Sequence, residues 1–111
     1  MSAVPSIRES DFQKQVTELA ELLGWSWAHF RPAETARGWR TPVSGPLGKG
    51  FPDLVLVHPV KRRVLFAELK RDGAKLSVDQ RSVIDTFMTA GAQCATWWPA
   101  DWDLIVRELQ A

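Results

Sequence analysis

A chain of 111 residues has room for one compact domain, residues 1–111, and not for two. Hydrophobic residues make up 45% of it, which excludes a disordered polyelectrolyte, and the lone cysteine, Cys94, excludes an internal disulfide. The net charge of +1 selects no partner by itself. No apolar run reaches the roughly 18 residues of a membrane helix, so a soluble cytoplasmic protein with no membrane partner is expected.

The first periodic segment runs from Ile7 to Leu23, with Phe12, Val16, Leu19, Ala20 and Leu23 on one helical stripe. Ser6 and Glu9 have capping-box spacing, and Gly24 ends the helix. Trp25 to Phe30 alternates as a strand does. Arg31 to Gly50 is rich in Pro and Gly, without a period, and reads as a long functional loop. Leu54–Val57 and Val64–Ala67 are short apolar runs on either side of a polar turn containing Pro59, the pattern of a β-hairpin. Both faces of these strands are apolar, so the sheet should be covered on both sides. Ser77, with Gln80 three residues on, opens a helix whose stripe is Val83, Ile84, Phe87 and Met88 and which Gly91 ends. Gln93 to Trp98 reads as a strand that Pro99 breaks, and Asp101 can cap a last helix over Trp102–Gln110. The order is α-β-β-β-α-β-α, an α/β fold.

Positive charge gathers in the middle of the chain. Arg31, Arg37, Arg40 and Lys49 lie in the loop, and Lys61, Arg62 and Arg63 in the hairpin turn. Lys70, Arg71, Lys75 and Arg81 follow. Such clustering suits a polyanion-binding surface, and equally a solvated turn and loop.

The hairpin makes a geometric prediction. With its turn centred between Val60 and Lys61, Val57 opposes Val64, Val55 opposes Phe66, and Asp53 opposes Glu68. Alternation puts Asp53, Glu68 and Lys70 on one face, with opposed Cβ atoms roughly 4.5–5.5 Å apart. Two facing carboxylates repel, and Lys70 neutralises only one of them. A divalent cation relieves the rest, and hard oxygen ligands suit Mg²⁺ or Mn²⁺. His29 and His58 stand apart without metal-ligand spacing. The competing reading is a salt bridge at a strand end.

Gly50-Phe-Pro-Asp53, Glu68-Leu-Lys70 and Leu76-Ser-Val-Asp-Gln80 resemble the PD-(D/E)XK nuclease superfamily. The chain is more closely similar to its VRR-NUC group, small stand-alone phage proteins included, over nearly its whole length. The resemblance implies a restriction-endonuclease-like α-β-β-β-α-β core, a mixed sheet flanked by helices, with a C-terminal helix added. It implies a DNA endonuclease in which Asp53 and Glu68 hold the metal, joined by the Leu69 carbonyl and, through water, by Glu9. Lys70 is the implied catalytic lysine, and Gln80 positions the phosphate or the water. Glu9 and Gln80 each have a capping role as well, and Glu18 and Glu21 are rivals to Glu9. Arg31, Arg37, Arg40, Lys49, Lys61, Arg62, Arg63 and Lys75 are the candidate DNA contacts.

Trp39 could stack on an unpaired base or pack its loop onto the core. Trp97 and Trp98 face opposite sides of a strand, so one of them calls for a cover, and a homodimer would supply it. Such a dimer would offer two active sites to branched DNA such as a Holliday junction, in a bacterial or phage-infected cell. Two other functions fit the same residues: a DNA-binding module that does not cut, and a protein-interaction domain with a structural charged cluster.

Overall fold

The structure, a computed structural model, describes residues 7–30, 33–40 and 43–111. Helices α1 (Glu9–Leu22), α2 (Val78–Thr89) and α3 (Trp102–Gln110) flank a mixed sheet. Its strands are β1 (Ser26–His29), β4 (Leu54–His58), β5 (Arg63–Leu69) and β6 (Gln93–Trp97), in the order β1-β4-β5-β6. Only β5 and β6 run parallel, joined by the crossover through α2. The order of elements through the main sheet is the expected α-β-β-β-α-β-α.

The loop after β1 departs from expectation. Ala33–Thr35 (β2) and Gly38–Arg40 (β3) form a separate two-stranded hairpin around Ala36 and Arg37. Gly38, at φ +95°, takes the left-handed backbone that a tight hairpin of this kind needs.

One face of the sheet is fully packed. Leu54 and Leu56 of β4, with Leu65, Ala67 and Leu69 of β5, meet Phe12, Val16 and Ala20 of α1 and Ile105 and Leu109 of α3. Trp25 and Trp97 complete this core, and the indole N–H of Trp25 donates to the Leu109 carbonyl at 2.8 Å. The opposite face is only partly covered, contrary to the two-sided cover that its apolar residues suggest. Phe66 stacks on Phe87 of α2 at 4.6 Å between centroids, but Val57 and Val64 remain 38% and 50% exposed. Met88, placed by its spacing on the α2 stripe, is exposed too, because α2 turns only Val83 and Ile84 fully inward.

Two caps differ from expectation. Ser6 lies outside the described residues, and α1 begins at Glu9 with Arg8 at the N-cap and no side-chain cap bond. Asp101 does not cap α3 either. Its carboxylate accepts the Trp98 N–H at 3.1 Å and closes the turn Pro99–Asp101 instead. Among the described residues no helix is long and apolar enough to cross a membrane.

Candidate active site

The observed β4–β5 register is the one the turn placement predicts: Val57 opposes Val64 and Val55 opposes Phe66. One pair further lie Asp53 and Glu68, at the open end of the hairpin. Asp53 is anchored twice. Its backbone carbonyl accepts from the Phe30 N–H at 2.7 Å, and its carboxylate accepts from the Leu69 N–H at 2.8 Å.

Glu68 is 3% exposed. Its Oε1 accepts from the Gln80 amide at 3.0 Å, while Oε2 is the one buried side-chain polar atom among the described residues without a hydrogen-bond partner. Burial, then the neighbouring Asp53 charge, push its carboxyl up to about 8, and the Lys70 ammonium opposes that rise. The apolar wall causing the desolvation is aromatic: Phe51 packs edge-on against Phe30, Phe66 and Phe87.

Gln80 serves two sites at once. Its Oε1 accepts from the Ser77 N–H, its own N–H donates to Ser77 Oγ, and its remaining amide hydrogens face Glu68. The capping box therefore fixes the rotamer that reaches the acid. Gly50 sets how near α2 can come. Its φ is +93°, and a Cβ there would lie 2.5 Å from the Asp79 carbonyl carbon. Lys70 leaves the sheet beside Glu68, with its backbone N–H on the Trp97 carbonyl at 2.9 Å.

These groups enclose a cavity of about 230 Å³, floored by Asp53, Glu68 and Gln80 and walled by Phe30, Phe51 and Gly48–Gly50. A larger groove of about 680 Å³ on the outer side of α2, past Arg81, Ser82 and Asp85, contains no buried ionisable group. Phe30, Val43 and Gly48 line the smaller cavity and were not anticipated. Phe30 was legible in the β1 register, which carries on from His29 opposite Leu54 to Phe30 opposite Asp53.

The remaining candidates divide. Glu9 sits half-buried in the first turn of α1, yet no group of three or more His, Cys, Asp or Glu side chains among the described residues could hold a metal ion. Glu9 therefore does not complete a three-carboxylate cluster with Asp53 and Glu68, the two facing acids that could hold an ion directly. That pair suits a hard divalent cation, because an unpartnered buried carboxylate oxygen beside a second carboxylate is a site short of positive charge.

A VRR-NUC domain family model matches residues 7–97. The chain belongs to the VRR-NUC domain family. No curated protein and no solved structure matches it. Membership makes it a nuclease domain of the PD-(D/E)XK type with a restriction-endonuclease-like fold, and implies DNA processing and use of a divalent metal.

In this VRR-NUC domain the basic hairpin turn lies away from the acids. Five-residue β4 separates the turn from Asp53, roughly 17 Å along the strand. Two of its three cations are engaged elsewhere. Arg63 donates to the Glu108 and Ala111 carbonyls, the Glu108 carboxylate and Gln93 Oε1, and stacks 5.2 Å over the Trp25 ring. Lys61 donates to the Gln110 carbonyl. Both therefore close the C-terminal end of α3, where a helix attracts cations, and Arg63 is not free to hold phosphate. Arg62 is exposed in the turn, and Lys75 is exposed between Lys70 and Ser77. Lys49 pairs with Asp79 at 3.4 Å on the cavity rim. Arg37 is at the tip of the β2–β3 hairpin. Arg31 and the side chains of Trp39 and Arg40 lie outside what the structure describes.

Proposed function

We propose that this chain, a single VRR-NUC domain, is a Mg²⁺- or Mn²⁺-dependent DNA endonuclease that cuts branched DNA, Holliday junctions among its substrates. The observation that carries this reading is the buried Glu68 carboxyl beside Asp53, its Oε2 without a donor, at a cavity that both acids and Gln80 line. Asp53 and Glu68 would hold the ion, with the Leu69 carbonyl beside them and Glu9 contributing through water. When bound, the ion supplies Lewis acidity at the scissile phosphate and lowers the pKa of water.

The chain's own residues do the rest. Lys70 orients the attacking water and offsets the charge of one of the two acids. Gln80, held by its cap, positions Glu68 and the phosphate. The aromatic wall of Phe30 and Phe51 excludes bulk water, which strengthens every charge interaction within. Phosphates are gripped by the positive segment Arg31, Arg37, Arg40 and Lys49, with Arg62 and Lys75 outside it.

A homodimer would present two such sites to the two strands of a junction. Trp98 argues for that dimer less than its strand position suggests, because the chain half-buries it and its indole N–H donates to the Ala74 carbonyl. The setting that fits such an enzyme is the cytoplasm of a bacterial or phage-infected cell.

The test is purified protein with Mg²⁺ or Mn²⁺ on linear, flapped, single-stranded and four-way DNA, with sedimentation to count protomers. Cleavage should favour the four-way substrate and disappear in Glu68→Ala while DNA binding persists. Cleavage by no wild-type preparation on any substrate would leave a binding module; absence of both Mg²⁺ binding and salt-dependent DNA affinity would leave a protein-interaction domain.

A further inference from the structure

The catalytic candidates Lys70 and Gln80 are joined by residues 71–76, a stretch with neither helix nor strand. It runs from the end of β5, beside Glu68, to the Ser77 cap that holds Gln80. Little within the stretch holds it. Arg71, Asp72, Gly73 and Lys75 are exposed, and one turn bond, Ala74 N–H to the Arg71 carbonyl at 3.1 Å, bends it.

Two hydrogen bonds tie its middle to the body, and both come from the turn after β6. The Trp98 indole N–H donates to the Ala74 carbonyl at 2.8 Å, and the Ala100 N–H donates to the Asp72 carboxylate at 3.1 Å. That turn is itself closed, by Trp98 N–H to the Asp101 carboxylate at 3.1 Å and Asp101 N–H to the Trp98 carbonyl at 2.9 Å. The preceding residue, buried Trp97, holds the start of the stretch through its carbonyl on Lys70 N–H. Adjacent tryptophans thus grip the segment at its start and at its middle.

We propose that Trp98 is a positioning residue of the active site. Through the Ala74 carbonyl, with Asp72 and Ala100 as a second tie, it fixes the path from Lys70 to the Ser77 cap. It thereby sets where Lys70 and Gln80 stand about Glu68. The donors of both ties, Trp98 and Ala100, lie just beyond the 7–97 span that the family model matches, and their acceptors lie within it. A largely exposed connector, with only Ala74 and Leu76 half-buried, otherwise opens readily, and a lysine stem is too flexible to hold its own head group in place.

This inference rests on the nuclease reading, and the experiment separates the two. Trp98→Phe keeps the ring and loses the N–H; Asp72→Ala removes the second tie, and Asp72→Asn retains an acceptor oxygen. Each is assayed for cleavage of four-way DNA with Mg²⁺, for Mg²⁺ binding by calorimetry, and for amide exchange over residues 71–76. The expected result is a fall in kcat of roughly tenfold to a hundredfold in Trp98→Phe, the scale that small misplacements cost. KM for DNA, Mg²⁺ affinity and Tm should stay near wild type, and exchange over residues 71–76 should quicken about fivefold to tenfold. Asp72→Ala should move the same way, and Asp72→Asn should restore most of the rate.

Unchanged kcat and exchange in Trp98→Phe overturn the proposal. So does a fall in kcat that comes with matching losses in Mg²⁺ binding and Tm, which marks general destabilisation. A wild-type protein that cuts nothing overturns the nuclease reading and its catalytic consequence, and the exchange data then report alone on whether Trp98 holds the segment.

Discussion

At the scale of single residues, Glu68 dominates, because it is a buried acid whose surroundings favour its protonated form. In the metal-free protein its carboxyl lies near 8, against an ordinary value of 4.5. Between those values the folded chain keeps a proton that the unfolded chain releases. Stability from this group is therefore fully present below about pH 4.5 and is lost as pH rises to about 8. Metal-free protein should melt at steadily lower temperature from pH 5 to pH 8.5, and Mg²⁺ should reverse most of that loss. Binding near neutral pH should also expel a proton, seen as calorimetric heats that vary with the buffer's ionisation enthalpy. Glu68→Gln should flatten the pH slope and, without metal at pH 8.5, melt above wild type, since it removes a buried charge at the expense of function. A wild-type Tm independent of pH over this range would contradict the burial seen here. The facing of Asp53 and Glu68 was legible from the hairpin register together with alternation. The lone Oε2 was not, because it depends on α2 and four phenylalanines that come together from distant parts of the chain.

Among the elements, the approach of α2 to the hairpin turns on Gly50, and a second glycine provides the control. Gly50 and Gly73 both have positive φ, but a Cβ at Gly73 meets nothing within 4 Å, whereas at Gly50 it meets the α2 backbone. Gly73→Ala should cost only about 1 kcal/mol of backbone strain in urea melts. Gly50→Ala should cost more than about 2 kcal/mol and should weaken cleavage as well, since the clash pushes Gln80 away from Glu68. Equal effects would show that close approach is not what that position requires.

The hairpin register and the Ser77 box could be read from the sequence because each is decided within a few residues, by a turn between matched apolar runs and by Ser and Gln at fixed spacing. The β2–β3 hairpin was missed, since Thr35-Ala-Arg-Gly38 lies in a stretch without alternating apolar residues. Trp98 was misread for a different reason. Its partner is the Ala74 carbonyl, a tertiary contact that no local pattern shows.

Across the whole molecule the charge is divided in a way the net value conceals. Residues 31–50 carry four cations and one anion, and the remaining positions ten cations against twelve anions. Of those ten, Lys61 and Arg63 are committed to the end of α3. A polyanion should thus meet the segment that begins and ends on the walls of the active-site cavity, at Phe30 on one side and Val43 and Gly48–Gly50 on the other. A phosphate chain bound there would reach the acids, which alone would repel it. Affinity should fall with salt, and removing one cation that grips a phosphate should lower the slope of log K against log salt by about one. Arg37→Ala should reduce that slope by this amount and weaken linear and four-way DNA alike, as measured by fluorescence anisotropy. Arg63→Ala should leave the slope intact and instead destabilise the fold by roughly 2–3 kcal/mol, because it strips several charge-assisted hydrogen bonds and a stacked cation from α3 and Trp25. A reversal, with Arg63 governing the salt slope and Arg37 governing stability, would mean that DNA lies along the turn end of the sheet, away from the carboxylates that are to act on it.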